Sequence, residues 1–203
     1  MDAPCSSSLI FLFLLLPAVL AMASPSKTIY CSSYPCECPQ EKETRLHMYL
    51  HQFPAWPNVA KPNEILTQNL TNPATTGIFG TTYVHDWFLT MGPDPNEKII
   101  GRAQGHHIQA GLAAISWYTS HIFVFQSGRF AGSTLQVLGI IDGSATGEWS
   151  IMGGTGAFAN AHGTIKYKQS SGIVPSIVET LRELDIQVFT PESFAAVHGA
   201  AAI

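Results

Sequence analysis

Residues 102–107 read Arg-Ala-Gln-Gly-His-His. In an extended strand successive side chains alternate between faces, so Arg102, Gln104 and His106 share one face and Ala103, Gly105 and His107 the other. A cation, an amide and an imidazole on one face are candidate substrate-binding groups; the other reading of Arg102 is an ion pair with a neighbouring acid. The spacings that would hold a metal or a phosphate are incomplete. His47 and His51 stand four apart, but no Glu follows His47, and Leu46, Met48 and Leu50 alternate with His47, Tyr49 and His51 as in a strand. His106 and His107 would point to opposite faces. Cys36-Glu37-Cys38 has no second Cys or His pair at finger spacing. Gly153-Gly154-Thr155-Gly156 lacks the Lys and the helix of a phosphate loop and reads as a tight β-turn. No metal and no cofactor is expected.

The elements that carry these residues are strands. Period-2 or β-rich stretches run from Arg45 through His51, then over 77–86, 98–109, 115–126, 131–139, 147–152, 156–168 and 182–190. A Pro- and Asn-rich loop is expected over 54–73, and a turn over 92–97, where GPDPNE combines Pro with Asp and Asn. Residues 177–184 could instead form a short helix. Seven or eight short strands joined by turns predict an all-β antiparallel sandwich or closed barrel. Ile122-Phe123-Val124-Phe125 is apolar on both faces, as in a barrel whose outside is covered by neighbouring subunits.

The chain has 203 residues, 46% of them apolar and only 12% charged, which predicts an oligomer or an enclosed apolar cavity. The formal charge of −4 without a basic cluster argues against a nucleic-acid partner. An apolar run from Leu9 to Leu20 ends at Ala21-Met22-Ala23, which predicts a signal peptide over 1–23 and a secreted chain. The run is shorter than the roughly 20 residues of a membrane span, so no membrane association is expected. An extended Cys-, Pro- and Ser-rich leader is expected over 24–44, where Cys31 could pair with Cys36 or Cys38. Asn69-Leu70-Thr71 is a glycosylation sequon at Asn69.

Three stretches carry a family resemblance: DWFLTMGPDPNEKIIGRAQG from Asp86, FVFQSGRFAGSTLQVLG from Phe123, and GEWSIMGGTGAFANAHG from Gly147. In order and spacing they resemble the plant dirigent proteins, over residues 45–190, with a tail over 191–203. Trp87, the GEW at 147–149 and the ETLRELDIQVFTP ending look most like the monocot branch sometimes fused to a jacalin-like lectin. The resemblance implies an eight-stranded antiparallel β-barrel similar to allene oxide cyclase, assembled as a dimer or trimer. It also implies an apolar pocket that receives phenolic radicals made by a separate oxidase or laccase. Such a protein holds radicals of monolignols such as coniferyl alcohol so that one lignan enantiomer results, in the extracellular space of the apoplast. It has no oxidative centre of its own. A bias of about 1.4 kcal/mol between geometries already gives tenfold selectivity.

Carried onto this chain, the resemblance matches Asp86 to the family's acid before LTxGP and Glu148 to the acid before its GGTG turn. An acid desolvated in an apolar barrel could protonate a quinone methide or accept a phenol proton. Asp86, Glu148 and His162 are therefore the expected catalytic groups, and Arg102, Gln104 and His106 the expected substrate-binding groups, converging in one pocket. Two departures stand out: Trp87 replaces a usual second Asp, and His162 replaces the Arg of an ARG motif, without its fork or permanent charge. The family's C-terminal Cys is also missing, which excludes its end-to-end disulfide. Trp87 and His162 favour a rival, a defence-related barrel that binds small molecules or glycans without directing coupling. A cyclase or isomerase is the third reading.

Overall fold

The computed structural model describes residues 40–54, 56, 59, 61–68, 79–173 and 178–192. The expected signal peptide, Cys31, Cys36, Cys38, Asn69 and residues 193–203 of the expected tail lie outside the described residues. The described residues form nine strands: β1 Glu41–Gln52, β2 Glu64–Gln68, β3 Thr82–Thr90, β4 Gly101–Gln109, β5 Trp117–Phe125, β6 Thr134–Ile141, β7 Thr146–Thr155, β8 His162–Ser171 and β9 Thr180–Pro191. Each pairs antiparallel with its neighbour in the order β1-β9-β8-β7-β6-β5-β4-β3-β2. Pairing of Tyr49, Leu50 and His51 with Thr90, Leu89 and Phe88 joins β1 to β3 and closes eight strands into a barrel. Closure satisfies the backbone groups that an open sheet would leave at its edges.

The all-β expectation and the barrel are met, with four local corrections. The barrel begins at Glu41, so the last residues of the expected leader belong to β1. β2 lies inside the expected loop, and Thr180 to Leu184 are strand rather than helix. Gly153 to Thr155 continue β7, and the turn comes one step later as a 3-10 turn over Gly156–Phe158. The expected turn at 92–97 is present, with Asp94 Oδ1 accepting from the Asn96 backbone and Glu97 Oε2 accepting from Gly92 N.

Alternation decides what fills the barrel. Leu50, Trp87, Leu89, Ala103, Phe123, Leu135, Trp149, Ile165, Leu184 and Val188 are almost fully buried and form one core. Outside, Ile65, Val84, Tyr118, Ile122, Ile140 and Met152 remain exposed on β2 to β7. Strands apolar on both faces thus put one face in the core and leave the other bare on a single chain.

Candidate functional site

The site is built from the strip where β1 and β2 share the edge of β3. β1 pairs with Phe88 to Thr90, and β2 pairs with Thr82 to His85. The chain leaves β1 after Gln52 and enters β2 at Glu64, and Asn63 ties these two ends together. Its amide donates to His51 O at 2.8 Å, its Oδ1 accepts from Phe53 N at 2.8 Å, and its carbonyl accepts from Asp86 N at 2.8 Å. The chain therefore re-enters the sheet in fixed register, with Glu64 opposite His85 on the inner face.

Glu64 is buried at one mouth of the barrel, and its Oε2 accepts from Trp87 Nε1 at 3.1 Å and Gln52 Nε2 at 2.9 Å. Gln52 Oε1 in turn accepts from Arg182 Nη1 at 2.6 Å. Arg182 lies in phase with Leu184, Ile186 and Val188, so strand parity carries a guanidinium into the core. There it packs over the Trp87 ring at 5.5 Å, and burial lowers its pKa to about 10. A guanidinium at that value is still charged at neutral pH, and Glu64 supplies the compensating carboxylate.

Three imidazoles continue the inner face. His85 stacks on Trp87 with centroids 3.6 Å apart, and its Nδ1 lies 3.2 Å from His107 Nδ1, so one ring donates and the other accepts. His121 stacks on Phe123 and meets His85 and Trp149 edge-on. Gly105 lies between His85 and His121 in register, and a Cβ there would fall 2.6 Å from His121 Cα. Desolvation by burial, with nearby charge adding to it, lowers the pKa of His85 to about 2, of His121 to about 3 and of His107 to about 4. All three are neutral at physiological pH.

Gln52, Glu64, Tyr83, Trp87, His107 and Arg182 line a cavity of about 270 Å³. Trp56, Ile115, Trp117 and Ile141 extend its wall. Its aromatic walls can hold a flat ring, while the carboxylate, amide and guanidinium offer both acceptors and donors to ring oxygens. Among the described residues no group of three or more His, Cys, Asp or Glu side chains is arranged to hold a metal ion.

The residues expected from sequence lie elsewhere. Asp86 and Arg102 do meet, in a bidentate pair of 2.7 and 2.8 Å, but outside the barrel wall with side chains 45% and 26% exposed. Gln104 and His106 share that outer face, Gln104 exposed and His106 half-buried. Glu148 is exposed on β7, in an outer groove with Lys166, Lys168 and Asp185. His162 is exposed on β8, stacked on Phe189 and 3.6 Å from Glu41. The expected convergence of Asp86, Arg102, Glu148 and His162 in one pocket is therefore corrected: the cavity belongs to the opposite parity. A usable signal was the parity of Phe123 with Phe125, which marks the inner face of β5, as the parity of Leu184 with Arg182 does on β9. Glu64 gave none, because its segment carries no period.

Residues 43–189 match the family model described as Dirigent-like protein. The chain is 36% identical over 156 residues to Dirigent protein 1 of Arabidopsis thaliana, covering 73% of this chain and 81% of that protein. It is 32% identical over 167 residues to Pterocarpan synthase 1 of Glycyrrhiza echinata, covering 80% and 87%. Among solved structures, the pterocarpan synthase dirigent protein GePTS1 superposes with a TM-score of 0.65 at 31% identity, covering 78% of this chain and 90% of that one. A family model spanning most of the chain, relatives along its length and a shared closed barrel lead to one conclusion: this chain belongs to the dirigent family.

Proposed function

We propose that this protein receives phenolic intermediates in the inner cavity and imposes stereochemistry on the bond they form, with one-electron oxidation supplied by a separate oxidase or laccase. The observation that carries this reading is the aromatic-walled cavity with Glu64, Gln52 and Arg182 along one side. Radical recombination needs orientation rather than activation, and a shaped wall supplies orientation. Coupling of monolignol radicals such as those of coniferyl alcohol to optically active lignans is the first form of this activity. Secretion to the apoplast is the reading supported by the apolar run that ends at Ala21-Met22-Ala23. Assembly into a homo-oligomer is supported by Ile65, Val84, Ile122 and Ile140 standing bare on one side of the barrel.

The size of the cavity favours a second form. At about 270 Å³ it lies at the small end of ligand pockets, which run from roughly 300 to 1,000 Å³. A step within one bound molecule, such as closure of an oxygen ring, needs less room than the meeting of two, and two of the relatives bear the name pterocarpan synthase. Chiral chromatography of coniferyl alcohol products, made by a laccase with and without the protein, tests the first form. Turnover without any oxidant supports the second. Racemic products together with no oxidant-free turnover refute both.

A further inference from the structure

We infer that Glu64 is the group that moves a proton on the bound phenolic ligand, an inference that rests on the reading that such a ligand enters the inner cavity. The geometry singles it out. Glu64 is a carboxylate held in the cavity by bonds from Trp87 Nε1 and Gln52 Nε2 to its Oε2. Among the described residues that line the cavity, it is the one carboxylic acid. The other ionisable groups there are Arg182 from β9, Tyr83 from β3 and His107 from β4, with His85 behind them. Asp86 and Glu148 are separated from this space by the barrel wall.

The step balances without an oxidant. Once one-electron oxidation and coupling have left an electron-poor ring carbon or methide carbon, a hydroxyl of the same ligand adds to it. The hydroxyl O–H breaks with its electron pair kept by oxygen, and that oxygen forms the new C–O bond. The displaced electron pair moves to the ring oxygen, which must gain one proton. Glu64 accepts the first proton and returns it to the ring oxygen, so no proton or electron is lost. Trp87 and Gln52 act as positioning residues, holding one carboxylate oxygen, and Arg182 steadies charge on the ligand oxygen.

The test uses the whole protein and 4-nitrophenol, whose absorbance distinguishes phenol from phenolate. In the wild type, the Glu64 carboxylate accepts from the neutral O–H and repels phenolate, so bound probe ionises less readily than free probe. In Glu64→Gln the repulsion is gone while Arg182 remains, and the bound phenolate-to-phenol ratio rises at least tenfold, one unit in apparent pKa. Asp86→Asn, on the outer face, leaves the ratio unchanged. A wild-type protein that ionises bound probe more readily than water does overturns the inference without any variant, as does a ratio that Glu64→Gln leaves unmoved. If no saturable binding of the probe is found, the cavity reading fails and the inference with it. With coniferyl alcohol and a laccase, Glu64→Gln is expected to lose tenfold or more of the directed, ring-closed product at unchanged phenol consumption. Directed product that survives in Glu64→Gln overturns the inference and leaves the proposed function standing.

Discussion

Asp86 and Trp87 are consecutive residues whose side chains lie on opposite sides of the barrel wall. The Asp86 carboxylate faces outward onto Arg102 at 2.7 and 2.8 Å, while the Trp87 indole faces inward and donates to Glu64 at 3.1 Å. The outer pair is part-exposed and screened by solvent, so its contribution is small, at most about 1 kcal/mol. Asp86→Asn should shift the thermal midpoint by only a few degrees and leave phenol binding in the cavity unaltered. A calorimetric titration showing a tenfold loss of phenol affinity in that variant would contradict the assignment of the inner face as the site.

His51 and Glu179 form a fully buried pair outside the cavity, where the ends of β1 and β3 meet the start of β9. Thr90 Oγ1 donates to Gly92 O and so receives its bond from His51 Nε2, at 2.6 Å. Nδ1 is thereby turned to Glu179, and the imidazole also stacks on Phe88. Removing one partner of a buried pair leaves the other uncompensated, at a cost of about 3 kcal/mol or more. Glu179→Gln should lower stability by that order in urea unfolding. The double change His51→Leu with Glu179→Leu should cost less than the two single changes together, because the pair is lost as a unit.

The inner histidines make stability depend on pH. His85, His107 and His121 have folded-state pKa values of about 2, 4 and 3, below the ordinary 6.5, because burial penalises the charged ring. Above about pH 6.5 both folded and unfolded rings are neutral and nothing is lost. Between pH 6.5 and about 4 the unfolded chain binds protons that the folded barrel refuses, so stability falls as the pH falls. Each ring contributes roughly 1 kcal/mol per pH unit in that window. Unfolding midpoints measured from pH 7 to pH 4 should drop, and His121→Phe should flatten the slope by about one ring's share. An unchanged slope in His121→Phe would show that His121 takes no part in it.

Gly105 fixes the spacing of His85 and His121. A Cβ there would sit 2.6 Å from His121 Cα and press on the Ser120 carbonyl, both on the neighbouring strand. Backbone cannot yield as a flexible side chain can, so Gly105→Ala should cost at least the 1 to 3 kcal/mol typical of overpacking. Near-ultraviolet circular dichroism should report the disturbance through Trp87 and Trp149, which pack against these rings. A variant with wild-type spectrum and midpoint would mean that the strands can part at no cost.

Period-2 alternation and the turn chemistry of GPDPNE were local properties of the chain, and they determined by themselves that the protein is built of antiparallel strands. The three family-like stretches, read in order, carried the barrel and the family. Alternation also sorted Arg102, Gln104 and His106 from Ala103, Gly105 and His107. It could not say which set faces inward, because parity is symmetrical until the sheet closes and one face becomes the core. Closure through the β1 and β3 pairing decided that, and it turned Asp86 and Arg102 outward while Trp87 and His107 turned in. Glu64 and Arg182 are 118 positions apart in a chain with no local pattern around the first of them. Only the return of the chain at Asn63 and the wrapping of β9 against β1 bring both to one cavity. A site assembled across a closed barrel depends on long-range register, and that is a property of the packed sheet rather than of any stretch of sequence.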